Sequence, residues 1–261
     1  MVERVKDIVR RASALMVREG FDVTEKDGSA NIVTSSDVVV QEFLVKELSA
    51  LIPGCGFICE EEVFHDSSHE YVWIVDPIDG TANYARGDEN CCISVALMKS
   101  GEVILGVVYS PWRGEMYEAC KGKGAMLNGK PIHVSDRPFK DSSLIGALCL
   151  YRKEFTEQCS EVILDVYLQS NDVRRFGSAA VEECLIAAGR YDLYFEMRIQ
   201  PWDYAAAAHI LTEAGGVITR LDGGPLGYDR PHLVVGANSP ENHARLLKIV
   251  QKHIPVRPFN D

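Results

Sequence analysis

Glu60, Glu61 and Glu62 follow one short apolar run, and Asp76 and Asp79 follow the next, so up to five carboxylates gather where two neighbouring strands end. Like charges this close raise each other's pKa unless cations neutralise them, and hard oxygen ligands select magnesium, calcium or manganese over zinc. Gly80 removes a side chain where backbone amides can approach a ligand, and Thr81 supplies a hydroxyl at the start of a helix, a place that suits phosphate. Pro77 stiffens the turn, so that the carbonyl of Ile78 can point inward as another hard ligand. Asp203, after Trp202, opens the helix that continues through Ala208, and by itself it reads as an ordinary N-cap. The alternative for Glu60 and Glu61 is a solvated pair of surface acids.

The elements around these residues are legible from hydrophobic period. Val2, Val5, Ile8, Val9, Ala12, Leu15 and Met16 make one apolar helical stripe that Gly20 can end. A polar loop from about Thr24 to Ala30 leads to Thr34, Ser35, Ser36 and Asp37, which offer N-caps for a second helix carrying Val40, Phe43, Leu44, Leu48 and Leu51. Phe57 to Cys59 and Tyr71 to Val75 read as strands that end in the acidic groups, and Ile93 to Met98, Val103 to Tyr109 and Glu115 to Ala119 as antiparallel strands. The second half alternates strand and helix: strands at 143–150, near Val173, at 191–196 and near Val217 and Leu233, with helices at 154–168, after Ser178, at 203–214 and after Pro240. This predicts an α+β metal-binding half over 1–138 and a layered α/β half over 139–261 that completes the site, with a frayed tail from Pro255.

With a net charge of -11, the chain is a poor partner for nucleic acid or an anionic membrane, and a phosphate substrate needs cations to reverse the local sign. No apolar run reaches the roughly 20 residues of a membrane span, and the charged, amphipathic N-terminus is unlike a signal peptide. The eight cysteines show no Cys-x-x-Cys spacing and read as reduced thiols, which predicts a cytoplasmic protein. Gly124, Gly129 and Lys130 have Walker A spacing, but Pro131 stands where a hydroxyl must hold the nucleotide's magnesium, so a hairpin turn is the better reading. The seven histidines form no His-Glu-x-x-His pattern, and none accompanies a Gly-x-Ser-x-Gly serine.

Val33 to Asp37, Glu60 with Glu61, Trp73 to Thr81 with Asn83, Gly106 to Ser110, Gly122 to Gly124, Asn128 with Gly129, Gly177 to Ala180, Trp202 to Asp203 and Glu213 to Gly216 occur in an order that resembles the inositol monophosphatase family. That family lies within the lithium-sensitive, magnesium-dependent phosphatases. The resemblance implies a layered αβαβα sandwich that hydrolyses a small polyol phosphate, with inositol 1-phosphate first in line. It implies that Glu60, Asp76 and the Ile78 carbonyl bind one Mg2+, that Asp76, Asp79 and Asp203 bind a second, and that a weaker third ion lies near Glu60. It makes Asp37 and Thr81 the groups that orient and deprotonate water, with Glu61 in support, and has the Gly80 and Thr81 amides hold phosphate. Asp79, Ser178, Ala179, Glu196 and Asp203 would meet the substrate's hydroxyl-bearing part. Lys26 lies in the loop where relatives place a mobile, metal-approaching lysine, and Arg198 stands where some relatives carry a small residue, to meet a second anionic group or a surface acid. The family also implies a homodimer. The rival readings are the same catalyst on fructose 1,6-bisphosphate, 3′-phosphoadenosine 5′-phosphate, histidinol phosphate or NADP, and a binding role in a transcription complex.

Overall fold

The computed structural model describes residues 1–17, 19–25, 32–61, 68–146 and 155–256. Lys26 and the rest of the expected loop to Ala30, Glu62, the end of the strand expected to reach Leu150, the helix start at Glu154 and the last five residues of the tail lie outside them.

Helices α1 (Val2–Ser13) and α2 (Ser35–Leu51) flank a small antiparallel pair, β1 (Val23–Glu25) and β2 (Ile32–Thr34). The chain then builds a seven-stranded sheet from β3 (Gly56–Cys59), β4 (Tyr71–Asp79), β5 (Cys92–Lys99), β6 (Glu102–Ser110), β7 (Glu115–Cys120), β8 (Ala125–Leu127) and β9 (Lys130–Ile132), ordered as they occur. Among the described residues of this sheet, only the β3–β4 pair is parallel. The short helix α3 (Thr81–Ala85) interrupts it after β4. A five-stranded mixed sheet in the order β11-β10-β12-β14-β13 follows, from β10 (Ser143–Gly146), β11 (Asp172–Arg174), β12 (Leu193–Ile199), β13 (Val217–Arg220) and β14 (His232–Ala237). Helices α4 (Thr156–Tyr167), α5 (Ala179–Ala187), α6 (Pro201–Glu213) and α7 (Pro240–His253) complete it.

Strand alternation sorts the core into three slabs. Trp73 and Val75 of β4 pack with Val5 and Val9 of α1 and Leu44 and Leu48 of α2, while Val72 and Ile74 face α5 and α6. Tyr194 of β12 joins that central slab, and Leu193 and Phe195 turn the other way, toward Val162 of α4 and Leu246 of α7. The layers therefore run α-β-α-β-α, as the sequence predicted. The central pair must pack close on both sides, which explains the run Ala205 to Ala208: a Cβ on Gly106 of β6 would come within 2.5 Å of the Ala206 carbonyl oxygen.

Three local expectations are corrected. Val23–Glu25 is a strand rather than the start of the polar loop, because it pairs with β2. Asp76 and Asp79 do not follow β4 but belong to it: Asp76 pairs with Ser94 and Asp79 with Cys92, so three steps on β4 match two on β5 and the strand bulges at Pro77 and Ile78. Asp203 is not the N-cap of α6; Gln200 is, and Asp203 sits at the third helical position because Pro201 starts the helix earlier.

Candidate metal and phosphate site

The bulge in β4 turns Asp76 and Asp79 toward the N-terminus of α6, so that Asp76, Asp79 and Asp203 each offer a carboxylate oxygen within 4.8 Å of one another. Glu60, Ile78, Gly80, Thr81, Ala179 and Glu196 line the same cleft. The acids are oriented through local donors. Asp76 Oδ1 accepts the Ile78 N–H at 2.9 Å, Asp79 Oδ2 accepts the Ser178 hydroxyl and the Ala180 N–H at 2.8 Å, and Asp203 Oδ2 accepts the Gln200 N–H at 2.7 Å. Charge-assisted bonds of this kind fix a carboxylate's plane before any ligand arrives.

Gly80, at φ 85, caps α3 in a left-handed conformation, and a Cβ there would come within 2.8 Å of the Asn90 carbonyl oxygen. The Thr81 hydroxyl donates to the Ile78 carbonyl at 3.0 Å and reaches Asp37 Oδ1 at 3.4 Å. Asp37, wholly buried, is the third residue of α2; its other oxygen accepts the Thr34 N–H at 2.7 Å and the Thr34 hydroxyl at 2.5 Å, a capping box. Glu61 is buried beside these groups, with its backbone held at both ends by the Gln41 amide. Ser178 caps α5 and spends its hydroxyl on Asp79 and the Val181 N–H.

Electrostatically the cleft is frustrated. Burial, then Glu60, Asp79, Asp203 and Asp37, push the Asp76 carboxyl well above its ordinary range. Burial, then Asp79 and Glu60, do the same to Asp203; burial raises Asp79 against the bonds from Ser178 and Ala180. A set of hard oxygens that resist ionising together fits divalent cations of the magnesium kind, which relieve the repulsion by taking the place of protons. Farther along the cleft Glu196, raised to about 8 by burial and by Glu182, accepts the Tyr194 hydroxyl at 3.0 Å and lies 4.0 Å from the Arg175 guanidinium.

The residues match the model of the inositol monophosphatase family from 2 to 255. The chain belongs to that family. It is 35% identical to the putative Nus factor SuhB of Neisseria meningitidis serogroup B, over 94% of this chain and 95% of that one. It is 30% identical to the inositol-1-monophosphatase of Bacillus subtilis over 94% of each. The solved IMPase of Thermotoga maritima superposes with a TM-score of 0.86 at 31% identity, covering 95% of both chains. The protein is therefore a phosphatase with the fold of this family, and its chemistry is metal-dependent.

Sequence reasoning missed several residues around the site. Gln41 lies one helical turn after Asp37, and that i, i+4 spacing was the available signal. Glu182 accepts the N–H groups of Phe176 and Gly177 and is raised to about 7 by its burial, while Glu183 is buried with neither carboxylate oxygen hydrogen-bonded to a described residue. Both sit in an apolar helix between the sheets, where period alone reads them as helix surface. Asn83, quoted only for resemblance, ties the 88–90 loop to the Phe176 carbonyl through its amide, at 2.7 Å to Asn90 and 2.6 Å to Phe176.

Proposed function

We propose that this protein hydrolyses the phosphate monoester of a small polyol, inositol 1-phosphate first among them, by direct attack of water in the presence of magnesium. The observation that carries this reading is the convergence of Asp76, Asp79 and Asp203 beside the N-terminus of α3. Glu60, Asp76 and the Ile78 carbonyl would hold one Mg2+, and Asp76, Asp79 and Asp203 a second. Magnesium held by these residues would make water a usable nucleophile near neutral pH and would neutralise charge on the entering and leaving oxygens. The Gly80 and Thr81 amides hold the phosphoryl oxygens. Thr81 orients the water and Asp37, 3.4 Å from the Thr81 hydroxyl, takes up its proton, with Glu61 supporting that pair from behind. Ala179 and Glu196 receive the polyol's hydroxyls, and Ser178 acts through Asp79.

No helix among the described residues is long and apolar enough to cross a membrane, and the seven described cysteines are free thiols; a cytoplasmic homodimer is the form we propose. Phosphate release from inositol 1-phosphate during a magnesium titration tests the function. Absence of metal-dependent hydrolysis across a panel that includes fructose 1,6-bisphosphate and NADP removes it, and inositol phosphates ranking last removes the substrate.

The Nus-factor name of the Neisseria relative supports a second reading, a docking role in a transcription complex. Under it, a specific partner survives Asp76→Asn in pull-downs while hydrolysis is lost.

A further inference from the structure

The second sheet also breaks register beside the cleft. Glu196 of β12 pairs with Val234 and Ile199 with His232, so three steps on β12 again match two on β14. The extra residue is absorbed at Met197 and Arg198, and Arg198 adopts φ 55. Among the described residues, the other non-glycine positions with positive φ, Ser100 and Asn128, sit in hairpin turns before Gly101 and Gly129. Arg198 has no turn to serve. A bulky residue kept in the left-handed region inside a strand points to a requirement for its side chain, since glycine would occupy that backbone without strain.

Its surroundings say what that requirement is. Arg198 lines the cleft with Glu60, Asp76, Asp79, Glu196 and Asp203, and it is the one cation among the described residues that do. It forms no ion pair with any described acid; the nearby Glu196 is met by Arg175 instead, at 4.0 Å. A neutral polyol offers a guanidinium no charge to meet, and the scissile phosphate is already served by the amides of α3 and the metal ligands.

We propose that Arg198 is a specificity residue that binds a second anionic group on the substrate, remote from the phosphate being cleaved, so that a small polyol or nucleoside carrying two phosphates is taken in preference to its own monophosphate counterpart. This rests on the phosphatase reading above. Guanidinium suits the role because its fork meets phosphate oxygens through two parallel N–H donors.

The test uses the full-length enzyme with magnesium and two matched pairs of esters: fructose 1-phosphate against fructose 1,6-bisphosphate, and adenosine 3′-phosphate against 3′-phosphoadenosine 5′-phosphate. In at least one pair, Arg198→Gly lowers the ratio of kcat/KM for the bisphosphate to that for the monophosphate about tenfold or more, the size of one charged hydrogen bond. The loss lies in KM, and Arg198→Lys restores part of it. The glycine variant also melts higher than the parent, which separates lost recognition from lost folding. A ratio that stays within about twofold of the parent in both pairs, with both esters hydrolysed, overturns the role of Arg198 and leaves the phosphatase standing. Failure of the parent enzyme to release phosphate from any of the four while it hydrolyses inositol 1-phosphate also overturns the role of Arg198, and failure on inositol 1-phosphate as well overturns both.

Discussion

Two β-bulges border the cleft, one at Asp76–Asp79 in the seven-stranded sheet and one at Glu196–Ile199 in the five-stranded sheet, and each takes up one extra residue. The first is built from residues that favour irregular backbone. Pro77 has no N–H to lose from the ladder, Asp76 accepts the Ile78 N–H across the bend, and Gly80 takes the left-handed position that follows. The second contains neither proline nor glycine and puts an arginine at φ 55. A bend made of compatible residues holds its geometry at little cost, whereas one made against residue preference persists because the packed strands around it leave no alternative. The difference separates a floor that presents carboxylates from a wall that selects what lies over them.

The largest expected effect falls on the floor. Asp76→Asn reduces phosphate release by about three orders of magnitude or more, since one ligand shared by both proposed ions is lost. The same variant melts higher than the parent in metal-free buffer, because a carboxylate raised well above its ordinary range by burial and by four neighbouring acids becomes neutral. A metal-free melting point that falls instead would mean the acids stabilise the fold and are not held in wait for cations.

Opposite signs are expected from glycine exchange at the two bulges. Gly80→Ala loses roughly 1–3 kcal/mol, from left-handed strain together with the 2.8 Å contact on the Asn90 carbonyl. Arg198→Gly gains about 1 kcal/mol. Denaturant unfolding of the metal-free proteins measures both, and equal signs would erase the distinction between the bends.

Next comes pH. Glu196 and Glu182 titrate near 8 and near 7 in the folded chain, above their unfolded values, so the folded state holds more protons than the unfolded state between about pH 4.5 and 8. Metal-free stability therefore falls as pH rises through that window. Under the proposed function magnesium would need the raised carboxylates of Asp76, Asp79 and Asp203 ionised, which gives the reverse dependence: its increment in melting temperature grows from pH 6 to pH 8. Calorimetry with and without the metal reads both slopes.

The smallest effect is a control far from either bulge. Asp165 on α4 is lowered to about 2 by Lys252 and then His253 of α7. Asp165→Asn should cost no more than about 1 kcal/mol near neutral pH, as for other ion pairs at the surface, since Lys252 is exposed although Asp165 and His253 are half-buried. A depressed acid stabilises above its unfolded pKa, so the gap between variant and parent closes as pH falls from about 4 to about 2.

The same contrast governs what was legible beforehand. The turn Asp76 to Thr81 announces itself, because proline, glycine and two acids in six residues suit few roles besides a bend holding cations. Asp37 was found as a cap candidate and Asp203 as a cap, both from local rules, although the structure moves each to the third helical position. The hairpin at Asn128 and Gly129 replaced a spurious nucleotide loop on chemical grounds alone, and β8 and β9 pair as that reading requires. Glu182 and Glu183 were invisible, since an acid inside an apolar helix reads as its solvent face until a second sheet is known to cover it.

By itself, then, the sequence determined most elements and the acids of the first bulge, because hydrophobic period and turn chemistry act over a few residues, while the five-layer order came from the family resemblance. Local rules did not join Asp203 to Asp76 and Asp79, although the family resemblance did; only the tertiary structure shows their oxygens within 4.8 Å across more than a hundred residues of chain, and shows that β12 bends at Arg198. Both follow from closing two sheets over the thin α5–α6 layer, where long-range packing outweighs the preference of any single residue.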